Sequence, residues 1–252
     1  MAHAHRAFTV LRVAGVSGAL IASLAIAGGA QASASADSDH DGLTNSFEIN
    51  RSHTNPHRAD TDRDGIRDGR EDPDHDRLTN SMEQRARMNP RRADTDRDGI
   101  RDDREDVDHD GLNTRNEFRA HTNPRDADSD NDGTPDGRED SDHDGLTNHQ
   151  DQVVGTNPGD ADTDNDGVSD ADEDADHDGL DNEFEFDETH TSPVDSDSDD
   201  DGVADADEDD DDDGVSNGDE QHDGTDPEDS DDHDGGDHGD RGAGALVIVL
   251  PA

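Results

Sequence analysis

Asp162-Thr163-Asp164-Asn165-Asp166-Gly167-Val168-Ser169-Asp170-Ala171-Asp172-Glu173 is the stretch on which the reading of this chain turns. Its carboxylates include positions 1, 3, 5, 9 and 12, and glycine stands at position 6. A hard divalent cation needs that spacing. It takes six to eight oxygens at about 2.3–2.6 Å, and alternate residues of a tightly turning backbone point inward to supply them. Glycine at 6 permits a turn that a side chain would obstruct. The residue at 7 offers its carbonyl, so its own side chain is free to be apolar, and Glu at 12 reaches across as a bidentate ligand. The stretch reads as a calcium loop.

Outward from it, the same loop fills the chain. Asp-x-Asp-x-Asp-Gly or a close variant begins at Asp37, Asp60, Asp72, Asp94, Asp106, Asp128, Asp140, Asp162, Asp174, Asp197 and Asp209. Intervals of 22 or 23 residues alternate with intervals of 12, a period of 34 or 35. Loops that open the longer interval are called A loops below, and the others B loops. The candidate ligands of the A loops are Asp37, Asp39, Asp41 and Glu48; Asp72, Asp74, Asp76 and Glu83; Asp106, Asp108, Asp110 and Glu117; Asp140, Asp142, Asp144 and Asp151; Asp174, Asp176, Asp178 and Glu185; and Asp209, Asp211, Asp213 and Glu220. The B loops add a carboxylate at position 9: Asp60, Asp62, Asp64, Asp68 and Glu71; Asp94, Asp96, Asp98, Asp102 and Glu105; Asp128, Asp130, Asp132, Asp136 and Glu139; Asp162, Asp164, Asp166, Asp170 and Glu173; and Asp197, Asp199, Asp201, Asp205 and Glu208. An acidic low-complexity tract that binds ions diffusely would hold none of these columns in register. Here ten of eleven loops keep the glycine and ten keep the glutamate, with Arg77 and Asp151 as the exceptions.

Composition agrees with a metal-built chain. Among 252 residues there are 72 Asp plus Glu against 20 basic residues, a net charge of −52. Hydrophobic residues make up 24% of the chain and aromatic ones 2%, too little to offset the ordering entropy of the backbone without help. Cysteine is absent, so no disulfide supplies that help, and a bound metal is the physical alternative. A field of this sign repels phosphate backbones and anionic bilayers, which argues against nucleic acid and membrane adsorption. Dense Asp and Arg without Lys also suit high salt, but that explains the charge and not the register of glycine and glutamate.

The ends differ from the middle. Residues 1–32 have Arg6 and Arg12, an apolar run from Val13 to Ala27, and small-residue cleavage candidates at Ala30-Gln31-Ala32 and Ala32-Ser33-Ala34. This is the pattern of a secretory signal peptide cleaved near 32–36. Residues 37–228 are the repeats, and 229–252 are an acidic, Gly-rich tail ending in the short apolar run Ala245–Leu250. A decaying twelfth loop is visible around Ser230, Asp232, Asp234 and Gly235, with His238 and Arg241 where later ligands belong. The expected address is secreted or extracellular, with no membrane insertion after cleavage, and it admits a cell-wall or matrix partner.

These are not EF-hands, because Glu71 at position 12 is followed at once by Asp72 at position 1, leaving no room for a flanking helix. After each A loop there is room for only one or two helical turns, before Thr54-Asn55-Pro56, Met88-Asn89-Pro90, Thr122-Asn123-Pro124 and their equivalents stop them. Phe47, Met82, Phe118, Val153, Val154, Phe184 and Phe186 follow the A loops and are expected to pack each stub onto the array. His40, His75, His109, His143 and His177 at position 4 are expected to point into solvent. No nucleophile, phosphate loop or zinc motif rises above the acidic background, so no enzyme is expected.

The alternation of Asp60-Thr61-Asp62-Arg63-Asp64-Gly65-Ile66 with Asp106-Val107-Asp108-His109-Asp110-Gly111-Leu112, joined by His121-Thr122-Asn123-Pro124, resembles the thrombospondin type 3 repeat in its bacterial form. The resemblance covers most of the chain after the leader. It implies an irregular, calcium-stabilised repeat array with little regular secondary structure and an order that depends on calcium. It also implies calcium binding in a structural, spacer or adhesive role at or outside the cell surface. Animal members staple their repeats with disulfides, which this chain lacks. An acidic calcium buffer or mineral-binding polyelectrolyte is the alternative.

Arg77 generates the first prediction. A side chain forced into the left-handed turn costs roughly 1–2 kcal/mol, which weakens the loop opened by Asp72 by about tenfold. Limited proteolysis at intermediate calcium should cut within residues 72–83 before residues 106–117, and Arg77→Gly should remove the difference.

Overall fold

The computed structural model describes residues 35–230, which contain all eleven loops. The expected leader, nearly all of the tail with its apolar run, and the decayed twelfth loop beyond Ser230 lie outside the described residues. Among the described residues there is no strand. The array consists of loops, six short helices and a few single turns.

Each A loop ends by starting a helix. These are α1 (Asn45–Phe47), α2 (Asn80–Ala86), α3 (Thr114–Ala120), α4 (Asn148–Val154), α5 (Asn182–Phe184) and α6 (Asn217–Asp223). α1 and α5 continue as wider π turns, Glu48–Ser52 and Glu185–Thr189. The start comes from position 8 of the loop, where Thr44, Thr79, Asn113, Thr147 and Ser216 cap the third helical N–H with a side-chain oxygen. Thr147 and Gln150 form a full capping box. Because the cap is at 8, the acid at 12 falls on the first turn of the helix and faces back into its own loop.

The proline was expected to stop each stub, but the stop comes three positions earlier. His53, Arg87, His121, Gly155, His190 and Gly224 adopt left-handed backbone, with φ between 60° and 95°. The following N–H then bonds the carbonyl of the acid at position 12, as in Thr122 to Glu117 at 2.9 Å and Thr156 to Asp151 at 3.0 Å. Four of these six stops are not glycine, so they carry no obvious mark in the sequence.

The apolar residues at position 7 divide by loop type, with Val215 of the last A loop half-buried, intermediate between the two groups. Leu43, Leu78, Leu112, Leu146 and Leu180 of the A loops are fully buried, whereas Ile66, Ile100, Val168 and Val203 of the B loops are exposed. Of the residues expected to pack the stubs, Phe118 is buried beside Leu78, Ala86 and Met88, and Met82 lies partly buried against them. Val153 is exposed.

Position 9 of the A loop locks each repeat. Asn80, Asn148, Asn182 and Asn217 are completely buried and donate from the amide to the carbonyls of Asp68, Asp136, Asp170 and Asp205 at 2.6–2.9 Å. Each therefore ties an A loop to the B loop before it. The B loop leans in turn on the preceding A loop. A Cβ on Gly69 or Gly137, at position 10, would collide with the carbonyl oxygen of Asp41 or Asp110.

Successive repeats alternate at position 13. Gln84, Gln152 and Gln221 accept, through Oε1, the position-8 N–H of Thr44, Asn113 and Asp181 in the repeat before, at 2.8–2.9 Å. The repeats between carry Ile49, Phe118 and Phe186 there. Arg85 lies 4.8 Å above the Phe118 ring and donates to the carbonyl of Thr122, which joins one glutamine-linked pair to the next.

With calcium saturating, Leu112→Ala should lower unfolding stability by about 2–5 kcal/mol, because a fully buried side chain leaves a cavity. Ile100→Ala, at a half-exposed site, should change it by less than about 0.5 kcal/mol. Denaturant titration of the two variants checks the contrast.

Candidate metal centre

The loops close as their spacing demands. In the Asp72 loop, both oxygens of the position-1 carboxylate accept backbone N–H groups, from His75 at 2.8 Å and Arg77 at 3.0 Å. Asp76 at position 5 accepts from Leu78 at 2.8 Å. The same bonds recur in the B loops, as from Arg63 and Gly65 to Asp60. Two residues of every loop are left-handed. Position 6 was foreseen: Gly42, Gly65 and Gly111 have φ near 100°, and Arg77 has φ 79°. Position 4 was not. His40, His75, His109, His143, His177, Arg63, Arg97, Asn131, Asn165, Asp200 and Asp212 all have φ between 62° and 72°. The histidines do point to solvent as expected, but they are there as hinges of the turn.

The carboxylates meet in two kinds of centre. In the B loops Asp60, Asp62 and Asp64 converge, as do Asp94, Asp96, Asp98 and Glu105, and several of these side chains are exposed. The A centres are deeper. Asp37, Asp39 and Asp41 converge, and Asp41 also converges with Glu48 and with Asp68, which belongs to the next B loop. Glu48, Glu83, Glu117 and Glu185 are fully buried. Asp151, the exception at position 12, occupies the same place, 1% exposed, with one oxygen taken by the Thr156 hydroxyl at 2.7 Å. Its chain is shorter, but its role in the arrangement is kept.

Asp68, Asp102, Asp136, Asp170 and Asp205 were read from the spacing as ligands within their own loops. The structure places them more centrally. Each is buried, and each accepts from the N–H and the hydroxyl of the position-2 Thr or Ser of its loop, as Asp68 does from Thr61 at 2.7 Å twice. Asp68 lies between Glu71 of its own loop and the Asp41–Glu48 pair of the preceding one. No local spacing reveals this, because the second set of partners belongs to a different loop.

Burying so many acids pushes them towards the protonated form. Desolvation, followed by repulsion from neighbouring aspartates, raises Glu83 and Glu117 to about 9 and Glu48 and Glu185 to about 8. Asp76 and Asp151 rise to about 7 from the same leading cause. Both carboxylate oxygens of Glu83, Glu117 and Asp39 are buried without a hydrogen-bond partner. Buried acceptors with no donor call for a cation. The donor set is all oxygen, with no thiolate or imidazole, which fits a hard divalent ion of the calcium type.

Arg77, the exception at position 6, has a partner. Its guanidinium lies 3.9 Å from Asp103, which Arg101 also approaches at 3.2 Å. Asp103 is itself an exception, standing buried at position 10 where other B loops have Gly69, Gly137, Ala171 and Ala206. The extra cation is therefore drawn towards a second irregularity and away from the ion site.

The family model of the bacterial TSP3 repeat matches residues 37–59 and 162–177, an A loop with its helix and a B loop with the start of the next A loop. Those two segments match the bacterial TSP3 repeat, which supports reading the array as repeats of that kind. No curated protein and no solved structure matches it. TSP3 repeats are of the calcium-binding kind and typically extracellular, and the converging carboxylates accord with that chemistry. Among the described residues no helix is long and apolar enough to cross a membrane.

Glutamates whose folded pKa is raised favour the metal-free fold below about pH 4.5, and that contribution is lost as pH climbs through about 8–9. The metal-free array should thus be most compact in mild acid. Calcium, which needs ionised ligands, should release protons at pH 7 and almost none above about pH 10. Calorimetry in two buffers of different ionisation enthalpy measures the release.

Proposed function

We propose that this chain is a secreted calcium-binding repeat protein whose loops hold about one ion each, serving as a structural spacer or adhesive element at or outside the cell surface. The observation that carries this reading is the burial of the A-loop glutamates, with both oxygens of Glu83 and Glu117 left unpartnered. A buffering polyelectrolyte has no use for ligands sunk beside a buried leucine and fixed by a helix cap. Ions held there close the contacts on which repeat stacks on repeat, so binding and shape are one event.

The role is taken to be non-catalytic. The surface clefts are open, and the loop carboxylates Asp62, Glu71 and Asp74 line one of them, which supports that reading. The B loops, with Asp62, Asp64, Asp96 and Asp98 exposed, favour a looser class of site that fills at higher calcium.

Small-angle scattering with chelator and with millimolar calcium tests the reading. The radius of gyration should fall cooperatively with calcium, and much less with equal magnesium, which demands a tighter octahedron. Glu117→Gln should remove one high-affinity site and shift the midpoint upward. Equal compaction by magnesium at the same midpoint would return the chain to a diffuse polyelectrolyte.

A further inference from the structure

We propose that the first half of the calcium-loaded array is a docking face for the acidic second half of another copy of this chain. The proposal rests on the calcium reading above. Residues 35–138 hold 17 arginines and 28 carboxylates, and 26 of those carboxylates occupy ligand positions; Asp103 and Asp126 do not. Residues 139–230 hold 39 carboxylates with no arginine or lysine, and 16 of the carboxylates lie outside the ligand positions. At about one divalent cation per loop, six loops take the first half from 17 − 28 = −11 to about +1, and five take the second from −39 to about −29. The first half is then left displaying guanidinium groups, and the second half carboxylates. Thirteen of the 17 arginines and 15 of the 16 non-ligand acids are exposed.

One position shows the opposition directly. At position 11 of successive B loops stand Arg70, Arg104, Arg138, Asp172 and Asp207, all exposed. The backbone period is the same in both halves while the sign of the charge reverses. The two ladders are opposite in sign and near-equal in spacing, 34 residues between the arginines and 35 between the aspartates.

No arginine of the first half forms a salt bridge with an acid of the second among the described residues. Among the described residues, Arg77 and Arg101 are the arginines within 4.0 Å of a carboxylate, and both turn to Asp103. The hydrogen bonds that link repeats among the described residues, such as Gln84 to Gly42 over 42 positions, join adjacent ones. Exposed ion pairs are weak one by one, but several in register give specificity and steer the encounter.

Sedimentation velocity of the full chain in calcium tests the proposal. Association is expected at about 20 mM NaCl and should be lost at about 500 mM, where the Debye length falls to a few ångström. It should also be lost in chelator. The triple variant Arg70→Asp/Arg104→Asp/Arg138→Asp and the double variant Asp172→Arg/Asp207→Arg should each self-associate at least roughly tenfold more weakly. Mixing the two variants should restore association, an outcome that damage to either fold would not give. A calcium-ordered chain that stays monomeric at low salt overturns the proposal and leaves the calcium reading standing. Failure of calcium to contract the chain, read as the radius of gyration in the same samples, overturns both. Association that ignores salt and the charge variants overturns the docking face. So does a monomeric chain that binds soluble polyglutamate through the arginines, which would assign the face to a foreign acidic polymer.

Discussion

Carboxylates without counter-charge are the constraint from which this fold follows. In most proteins burial is the fate of apolar groups and acids stay in water. Here the largest fully buried side chains include five leucines and five glutamates, placed at positions 7 and 12 of the same kind of loop. The leucines alone bury too little to order so long a backbone. The glutamates, buried among aspartates, oppose ordering while ionised and unpaired, and on the calcium reading proposed above a bound cation would reverse that. The apolar and ionic parts are thus one device. Leu112 and Glu117 sit on either side of a helix cap, so filling the centre fixes the helix and the helix seats the leucine.

Geometry that depends on one loop was legible in the sequence. The spacing of Asp106, Asp108, Asp110 and Glu117 demands a turn of known curvature, and the turn is there. The helical stubs were legible too, since Thr54-Asn55-Pro56, Met88-Asn89-Pro90 and their equivalents leave room for only one or two turns after each A loop. What escaped was whatever depends on a neighbouring loop. Asp68 reads as the ninth residue of its own loop, yet it stands against Asp41 and Glu48 of the loop before. Gln84 carries no mark in the sequence, yet its Oε1 accepts the N–H of Thr44, the cap of α1. The left-handed residue at position 4 was missed for another reason. Histidine, arginine, asparagine and aspartate share the site, and that mixture looks like solvent-facing variety until the φ angles are seen.

Asp103 and Arg77 teach a related lesson. Each breaks a column, and each taken alone predicts damage, by a side chain in a glycine turn or by an acid in a crowded joint. Together they form an ion pair between consecutive repeats. A pair of this kind is half exposed on the arginine side and carries modest energy. Its interest lies in its chemistry, since it links consecutive repeats through two side chains that are not candidate metal ligands.

The alternation at position 13 makes the structural unit two repeats long. Glutamine from every second repeat completes the cap of its predecessor, and Phe118 in the next serves as a ring for Arg85 to cover. A genetic duplication or loss of a single repeat would therefore set like against like. Where two repeats without the glutamine met, the position-8 N–H of the first would lose the side-chain oxygen that accepts it. Gains and losses of two repeats at a time would keep every junction complementary. Chain length in such an array is quantised by the pair, and that is the step by which it could grow or shrink during descent without losing its stacking.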